Sequence, residues 1–506
     1  MFKERAKIIS LTALAFALAA YTQLAELTQV PGLHFDEAWQ GLFAHRLATE
    51  TGFHPFQAMN SYTSPVLHYL LAGVFRIFSP SLLVMRGALS AMNLAACALI
   101  AAWLWRLGER KAVPWFVLLW AVLPLSVHGH RFFVEVTSFH GFCLAVLLWG
   151  LALWDSIPAV SFLLVLGASA AGAYSHVVFI AVLIGGMPVL ARAYRGRFHT
   201  PRARLLTAAT ALSLCPLAFR MGAGTGKFLP LALLALLFSV AVVAAAAGTV
   251  LMADDMWKRM PRLAHRSATW VPIISFPFLL AFVVLHFDGA WPYAQATGTL
   301  PRFWIPINAA IFAVCAVLEA RRRPASFHTM MCWHGFLLVL LVTFAMILKP
   351  SPRFFVIPGI LAMIWAAMRL SYLPRGRLGT ALVAAVLAWN VHAFHHHYLL
   401  PQLQHGPTDS VFRLWFFKDS GRDFRPFQRA YAWAVEQGCG DTLQWMEDDR
   451  FLRPVEFLRL TAPLSNRACP WKKDELFFSH NPPPDKNLKL LAHFPEWGDL
   501  AFYLRK

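Results

Sequence analysis

A series of long apolar runs constrains this chain more than any other feature: thirteen lie near residues 8–29, 86–106, 113–129, 138–154, 159–173, 177–191, 205–220, 229–252, 270–287, 303–319, 333–348, 354–371 and 379–398. A hydrocarbon core about 30 Å thick takes about 20 helical residues, somewhat fewer inside a protein-lined bundle. The composition agrees, with 58% hydrophobic and only 14% charged side chains, against about a quarter charged in a soluble domain. The expected fold is an all-α polytopic membrane bundle. A basic flank (Lys3, Arg5, Lys7) precedes the first run, which lacks a small-residue cleavage site and reads as a retained signal-anchor helix.

The net charge of +19 at first suggests nucleic acid, but the cations sit in short loops between apolar runs, as the positive-inside rule expects, so no nucleic-acid partner is assigned. With the N-terminus inside, the inner loops hold 106–111, 192–204, 258–262, Arg321-Arg322-Arg323 and Arg375-Gly376-Arg377, and the outer loops are poorer in cations. That register requires the run at 65–78, which opens with Pro65 and carries His68 and Arg76, to lie in the interface as a juxtamembrane helix. An odd number of crossings then puts the C-terminus outside.

Two units follow: a transmembrane part, 1–398, with an outer juxtamembrane loop at 30–85, and a small C-terminal α/β extramembrane domain, 399–506. In the latter, Asp423 to Gln437 has the period of a helix, with Phe427, Tyr431 and Val435 at spacing four, and the runs 442–446, 475–479, 488–494 and 500–504 read as strands. Five of the seven cysteines lie in or beside apolar runs; Cys439 and Cys469 share the polar segment. In an oxidising compartment these two would form a disulfide stabilising that segment by roughly 3 kcal/mol or slightly more.

The expected outer face collects His34, Asp36 and Glu37 in the first loop, His128, His130, Arg131 and Glu135 in the second, Tyr174 and His176 in the third, Arg220 and Lys227 in the fourth, Asp288 in the fifth, and Lys349 and Arg353 in the sixth. Adjacent carboxylates beside a membrane are costly unless water, a cation or a substrate pairs with them, so Asp36 and Glu37 are the first candidates for chemistry. Each residue also has a duller reading. Arg353 and Lys349 could be snorkelling anchors, Glu135 could pair with Arg131 one helical turn away, and His395-His396-His397 reads as a polar cap because consecutive helical residues do not share a face.

At residue level the chain resembles the GT-C glycosyltransferases, in the branch of bacterial lipid A aminoarabinose transferases and protein O-mannosyltransferases. His34-Phe35-Asp36-Glu37-Ala38 is similar to the acidic first-loop motif of that family. Gly129-His130-Arg131-Phe132-Phe133-Val134-Glu135 resembles the second-loop stretch with a second acid, and Pro352-Arg353-Phe354-Phe355-Val356-Ile357-Pro358 resembles the Arg-Tyr-x-x-x-Pro segment. Ser64-Pro65 stands where those enzymes usually have a Lys-Pro-Pro phosphate contact, so their donor and acceptor specificity is not carried over.

The resemblance implies transfer of a sugar from a polyprenyl-phosphate donor to an acceptor hydroxyl on a lipid, glycan or protein, at the periplasmic face of a bacterial inner membrane. A sugar-phosphate leaving group departs as an anion, so the enzyme needs a base for the acceptor and cations for the phosphate. The expected catalytic residues are Asp36 as base, with Glu37 or Glu135 orienting the acceptor. The expected substrate-binding residues are Arg353 and Lys349 on the phosphate with Arg131 helping, and His34 and His176. A single displacement would invert the anomeric centre. The residues require no cofactor, although Asp36, Glu37 and His34 could also bind a divalent metal weakly. A transporter or flippase of a lipid-linked sugar competes with this reading, but no internal repeat is visible and the acids sit in loops near one surface. A membrane-anchored assembly factor acting through the C-terminal domain would not need those acids.

Overall fold

The structure is a computed structural model. It describes residues 2–183 with short gaps, 301–321, 339–340, 352–373, 378–400 and 403, and towards the C-terminus 425–440, 444–445, 449–461, 468–471, 476–479, 488–494 and 500–505. Within these the helices are α1 (Phe2–Leu24), α2 (Phe35–Thr49), α3 (Val66–Ile77), α4 (Leu82–Arg106), α5 (Val113–Val122), α6 (Pro124–Gly129), α7 (Phe139–Leu153), α8 (Pro158–Ser175), α9 (Pro301–Arg321), α10 (Val356–Leu370) and α11 (Leu378–Ala393), followed by α12 (Arg425–Glu436) and α13 (Asp449–Thr461). The described residues are thus mostly helical. Four described helical stretches are long and apolar enough to cross a membrane: Lys3–Leu24, Leu82–Arg106, Pro158–Ser175 and Leu378–Leu399. The expected runs at 205–220, 229–252 and 270–287 lie outside the described residues, as do nearly all of 333–348 and most of 177–191.

The expected run at 113–129 is not one helix. Leu123 is extended, with ψ 131°, and Pro124 starts a separate short helix. A residue before proline is pushed out of the α region, so the break is local in origin. The 65–78 run becomes a 12-residue helix, about 18 Å long at 1.5 Å per residue, which is too short to cross a bilayer alone. It buries Leu67, His68, Leu71, Ala72 and Phe75 and exposes Tyr69, Leu70 and Ile77.

The bundle has two distinct ends. At one, Lys111 between α4 and α5 pairs with Glu4 at 2.9 Å, and Arg106 at the end of α4 donates to the Ser156 hydroxyl before α8. This is the end of the basic segments Lys3–Lys7 and Arg106–Lys111. At the other, the last turn of α1, the start of α2, the α6–α7 segment and the Tyr21–His395 contact (2.9 Å) come together. Between the ends, α10 packs against α5, α7 and α9. All but one of its residues are buried, as an apolar helix without a polar face must be.

Beyond residue 424 the elements are α12, α13 and a four-stranded sheet of β1 (Gln444–Trp445), β2 (Leu476–Ser479), β3 (Leu488–Phe494) and β4 (Leu500–Arg505), in the order β1-β2-β4-β3. The β1–β2 pair is parallel and the others antiparallel. Helix α13, which contains Pro454, was not expected from the sequence. Cys439 and Cys469 are joined in a disulfide whose loop encloses α13. Replacing both cysteines by serine is expected to cost about 3.5 kcal/mol of local stability by loop-closure entropy, read as faster amide exchange in β2 and β4 of the full chain. Unchanged exchange would show that the crosslink bears no load.

Candidate active site

Helix α2 starts two residues after Leu33 and carries both acids, Asp36 and Glu37, in its first turn, where unpaired N–H groups favour negative charge. Successive helical residues point about 100° apart, so the two neighbours meet different surroundings. Asp36 is half-buried, whereas Glu37 is fully buried. Arg86 of α4 meets Glu37 in a two-pronged pair, Nε to Oε1 at 3.0 Å and Nη2 to Oε2 at 2.6 Å, with both side chains at 0% exposure. The Phe133 N–H donates to Glu37 Oε1 at 2.9 Å, and Arg86 Nη1 donates to the Leu27 carbonyl at 2.7 Å. Such burial is tolerable only because the remaining donors and lone pairs are met. One ion pair therefore ties α2, α4, the α1–α2 connection and the α6–α7 segment together.

Arg131 is also at 0% exposure, and its guanidinium faces main-chain oxygens: Nη1 donates to Thr22 O at 2.8 Å, and Nη2 to Ala25 O at 2.5 Å and Val30 O at 2.6 Å. Thr22 and Ala25 lie at the C-terminal end of α1, whose last carbonyls lack helical partners and carry the negative end of the dipole. Arg131 thus closes the C-terminal end of α1. Glu135, two residues past the Phe133 amide, is 4% exposed in the turn before α7.

A second group of segments meets beside α2. Arg76 of α3 donates to the Leu47 and Ala48 carbonyls at the end of α2, and His68 in the first half of α3 lies edge-on to Trp39 (5.5 Å) and against Phe43 (4.9 Å), so the two helices run side by side in the same direction. Burial pushes the His68 imidazole down to about 3, so it brings no charge to the acids at neutral pH. Just before α3, Thr63 bridges His176, and the Ser64 N–H donates to Ser175 O at 3.0 Å. His176, 6% exposed at the end of α8, accepts the Val178 N–H on Nδ1 at 3.1 Å, which makes Nε2 the protonated nitrogen. Its ring lies 5.7 Å from Phe354, in the 3-10 turn Pro352–Phe355 that leads into α10. The main chain of Arg353 is thereby brought to His176. The Arg353 side chain, His34 and Lys349 lie outside what the structure describes, as do Arg220, Lys227 and Asp288.

Among the described residues, no group of three or more His, Cys, Asp or Glu side chains is placed to hold a metal ion. His395-His396-His397 fall in a π-helical turn, Phe394–Leu399, that extends α11. The functional group that sequence reasoning missed is Arg86. It stands at the edge of the apolar run 86–106, whereas the helix starts at Leu82 and places the guanidinium a full turn inside. A cation inside an apolar helix calls for a buried acid, and this is the mark Arg86 leaves in the sequence.

Fold and site together define a mostly helical membrane protein with a buried acid–guanidinium pair beside a half-buried aspartate at one end of the bundle. No protein-family model and no curated protein matches the chain. Among solved structures, it is similar to the Archaeoglobus fulgidus oligosaccharyltransferase tethered to an acceptor peptide containing the NVT sequon, with 15% identity, a TM-score of 0.46, and 92% of this chain and 61% of that chain covered. It is likewise similar to the archaeal oligosaccharyltransferase AglB from Archaeoglobus fulgidus in complex with an inhibitory peptide and a dolichol-phosphate, with 14% identity, a TM-score of 0.46, and coverage of 94% and 62%. The chain spans about three-fifths of the length of these structures.

Proposed function

We propose that the protein is an integral membrane glycosyltransferase of GT-C type that moves a sugar from a polyprenyl-phosphate donor to an acceptor hydroxyl with inversion. The observation that carries this reading is the division of labour between adjacent acids. Glu37 is bound on both oxygens inside the fold, while Asp36 stands half-buried in the same helical turn. A carboxylate held at a rigid helix start and partly open to solvent is what a base for a hydroxyl needs. Glu37 then serves as a positioning residue, and Glu135, in the segment whose Phe133 amide meets Glu37, is the acid for acceptor orientation.

In this reading the donor phosphate is held from the Pro352–Phe355 turn by Arg353, with Lys349 four residues earlier, and His176 adds an Nε2–H donor beside Phe354. The end of the bundle with the acids faces the periplasm of a bacterial inner membrane, the basic end faces the cytoplasm, and thirteen crossings place 399–506 outside as a separate domain. The acceptor is a lipid, glycan or protein hydroxyl. The decisive assay is purified protein with a panel of polyprenyl-phosphate sugars, monitored for release of polyprenyl phosphate; no release from any donor sinks the reading.

Arg353 supplies a sharper test. Its planar fork binds phosphate through two parallel bonds, whereas lysine keeps only the charge. Arg353→Lys is expected to retain part of the donor affinity and Arg353→Ala very little. Equal donor binding by wild type and both variants would make the residue a membrane anchor.

A further inference from the structure

Among the described residues, the C-terminal segment meets the transmembrane part where α13 packs on α2. Phe457 of α13 is 0% exposed and belongs to the same buried apolar cluster as Leu33, Ala38 and Ala44 of the α2 region, with Leu458 packed against that cluster. It sits on Gly41. A Cβ built there would lie 2.2, 2.7 and 2.9 Å from Cε2, Cδ2 and Cζ of the Phe457 ring, so the ring occupies the space that any other residue would fill. Gly41 is four residues after Glu37, hence on the same face of α2 one turn further along. Behind the ring, Arg459 Nε donates to the Gly440 carbonyl at 3.0 Å, next to Cys439, whose disulfide with Cys469 closes the loop containing α13.

We propose that Phe457 and Gly41 are positioning residues for the proposed transfer reaction: α13 locks the rotation and seat of α2 through the ring in the glycine notch, and so places Asp36. The inference rests on the glycosyltransferase reading only for what is being positioned; the docking of α13 on α2 stands apart from it. Helix propensity makes the proposal testable by sign. Glycine within a helix is unfavourable relative to alanine, so Gly41→Ala by itself should tighten α2. If the notch is occupied by Phe457, the same substitution must instead push α13 and α2 apart.

The experiment compares wild type, Gly41→Ala, Phe457→Leu and the double variant as full-length protein, by amide exchange in 35–49 and by turnover with a polyprenyl-phosphate sugar. Leucine lacks Cε2 and Cζ, the ring atoms at 2.2 and 2.9 Å, and its freely rotating Cδ branches can turn out of the notch. Gly41→Ala is expected to speed exchange in α2 by about tenfold, the scale of an overpacked contact. Turnover should fall by up to about a hundredfold, as small displacements of a catalytic group produce, while donor affinity stays within about twofold of wild type because the phosphate site is on another element. The double variant should regain most of both losses. Slower or unchanged α2 exchange in Gly41→Ala overturns the docking. Faster exchange with undiminished turnover, or a double variant as impaired as Gly41→Ala, overturns the positioning role. A wild type inactive on every donor counts against the glycosyltransferase reading, and the exchange data still decide whether α13 seats α2.

Discussion

Asp36→Asn is expected to lower transfer by about a hundredfold to ten-thousandfold, the contribution a positioned carboxylate makes to activating a hydroxyl. The amide keeps the size and much of the hydrogen bonding of the acid, and Asp36 is only half-buried, so folding and donor binding should stay close to wild type. Asp36→Glu restores a carboxylate but moves it by one methylene, and since a displacement of about 1 Å can cost a hundredfold, it should rescue little. Turnover and a donor-binding curve for each variant in one lipid and detergent decide the matter. Normal turnover by Asp36→Asn beside a dead Glu135→Gln would move the base to the α6–α7 segment. Full activity in both would end the proposed mechanism.

The second large effect falls on stability. From the sequence alone Glu37→Gln reads as the milder neighbour of Asp36→Asn, but the structure pairs Glu37 with Arg86 at 2.6 Å, with both side chains out of water. Removing one partner strands the other charge, which typically costs about 3–5 kcal/mol. Glu37→Gln and Arg86→Met are each expected to lower the thermal midpoint of the detergent-solubilised protein sharply. Combining them should recover a large part, because replacing both partners of a buried pair leaves no uncompensated charge. If the double variant is as unstable as the sum of the singles, the pair does not act as a unit. Arg86→Lys is not a conservative repair, since one ammonium cannot reproduce the fork that meets both oxygens and the Leu27 carbonyl.

The fold class was legible because hydropathy is a property of contiguous residues. The runs near 86–106, 159–173 and 379–398 coincide with helices Leu82–Arg106, Pro158–Ser175 and Leu378–Ala393, and the strand runs at 488–494 and 500–504 with β3 and β4. The first basic loop also shares an end with the N-terminal flank through Lys111 and Glu4, as the alternation of charge implied. Where local rules compete, hydropathy and periodicity alone mislead. Leu123-Pro124 interrupts an apolar stretch that hydropathy alone treats as continuous, and Pro454 disguised α13.

The sequence by itself determined which segments are candidates for the site: the Asp36-Glu37 pair, the Gly129–Glu135 segment and the Pro352–Pro358 segment are each contiguous, and each stands beside an apolar run. Only the tertiary structure decided which partners the described side chains meet. Arg86 meets Glu37 across 49 residues, Arg131 meets the α1 carbonyls across more than a hundred, and Phe457 meets Gly41 across more than four hundred. Partner choice among several nearby cations and acids depends on which helix faces pack together and which polar groups lose water in doing so. That is a property of the assembled bundle, and no stretch of the chain carries it alone.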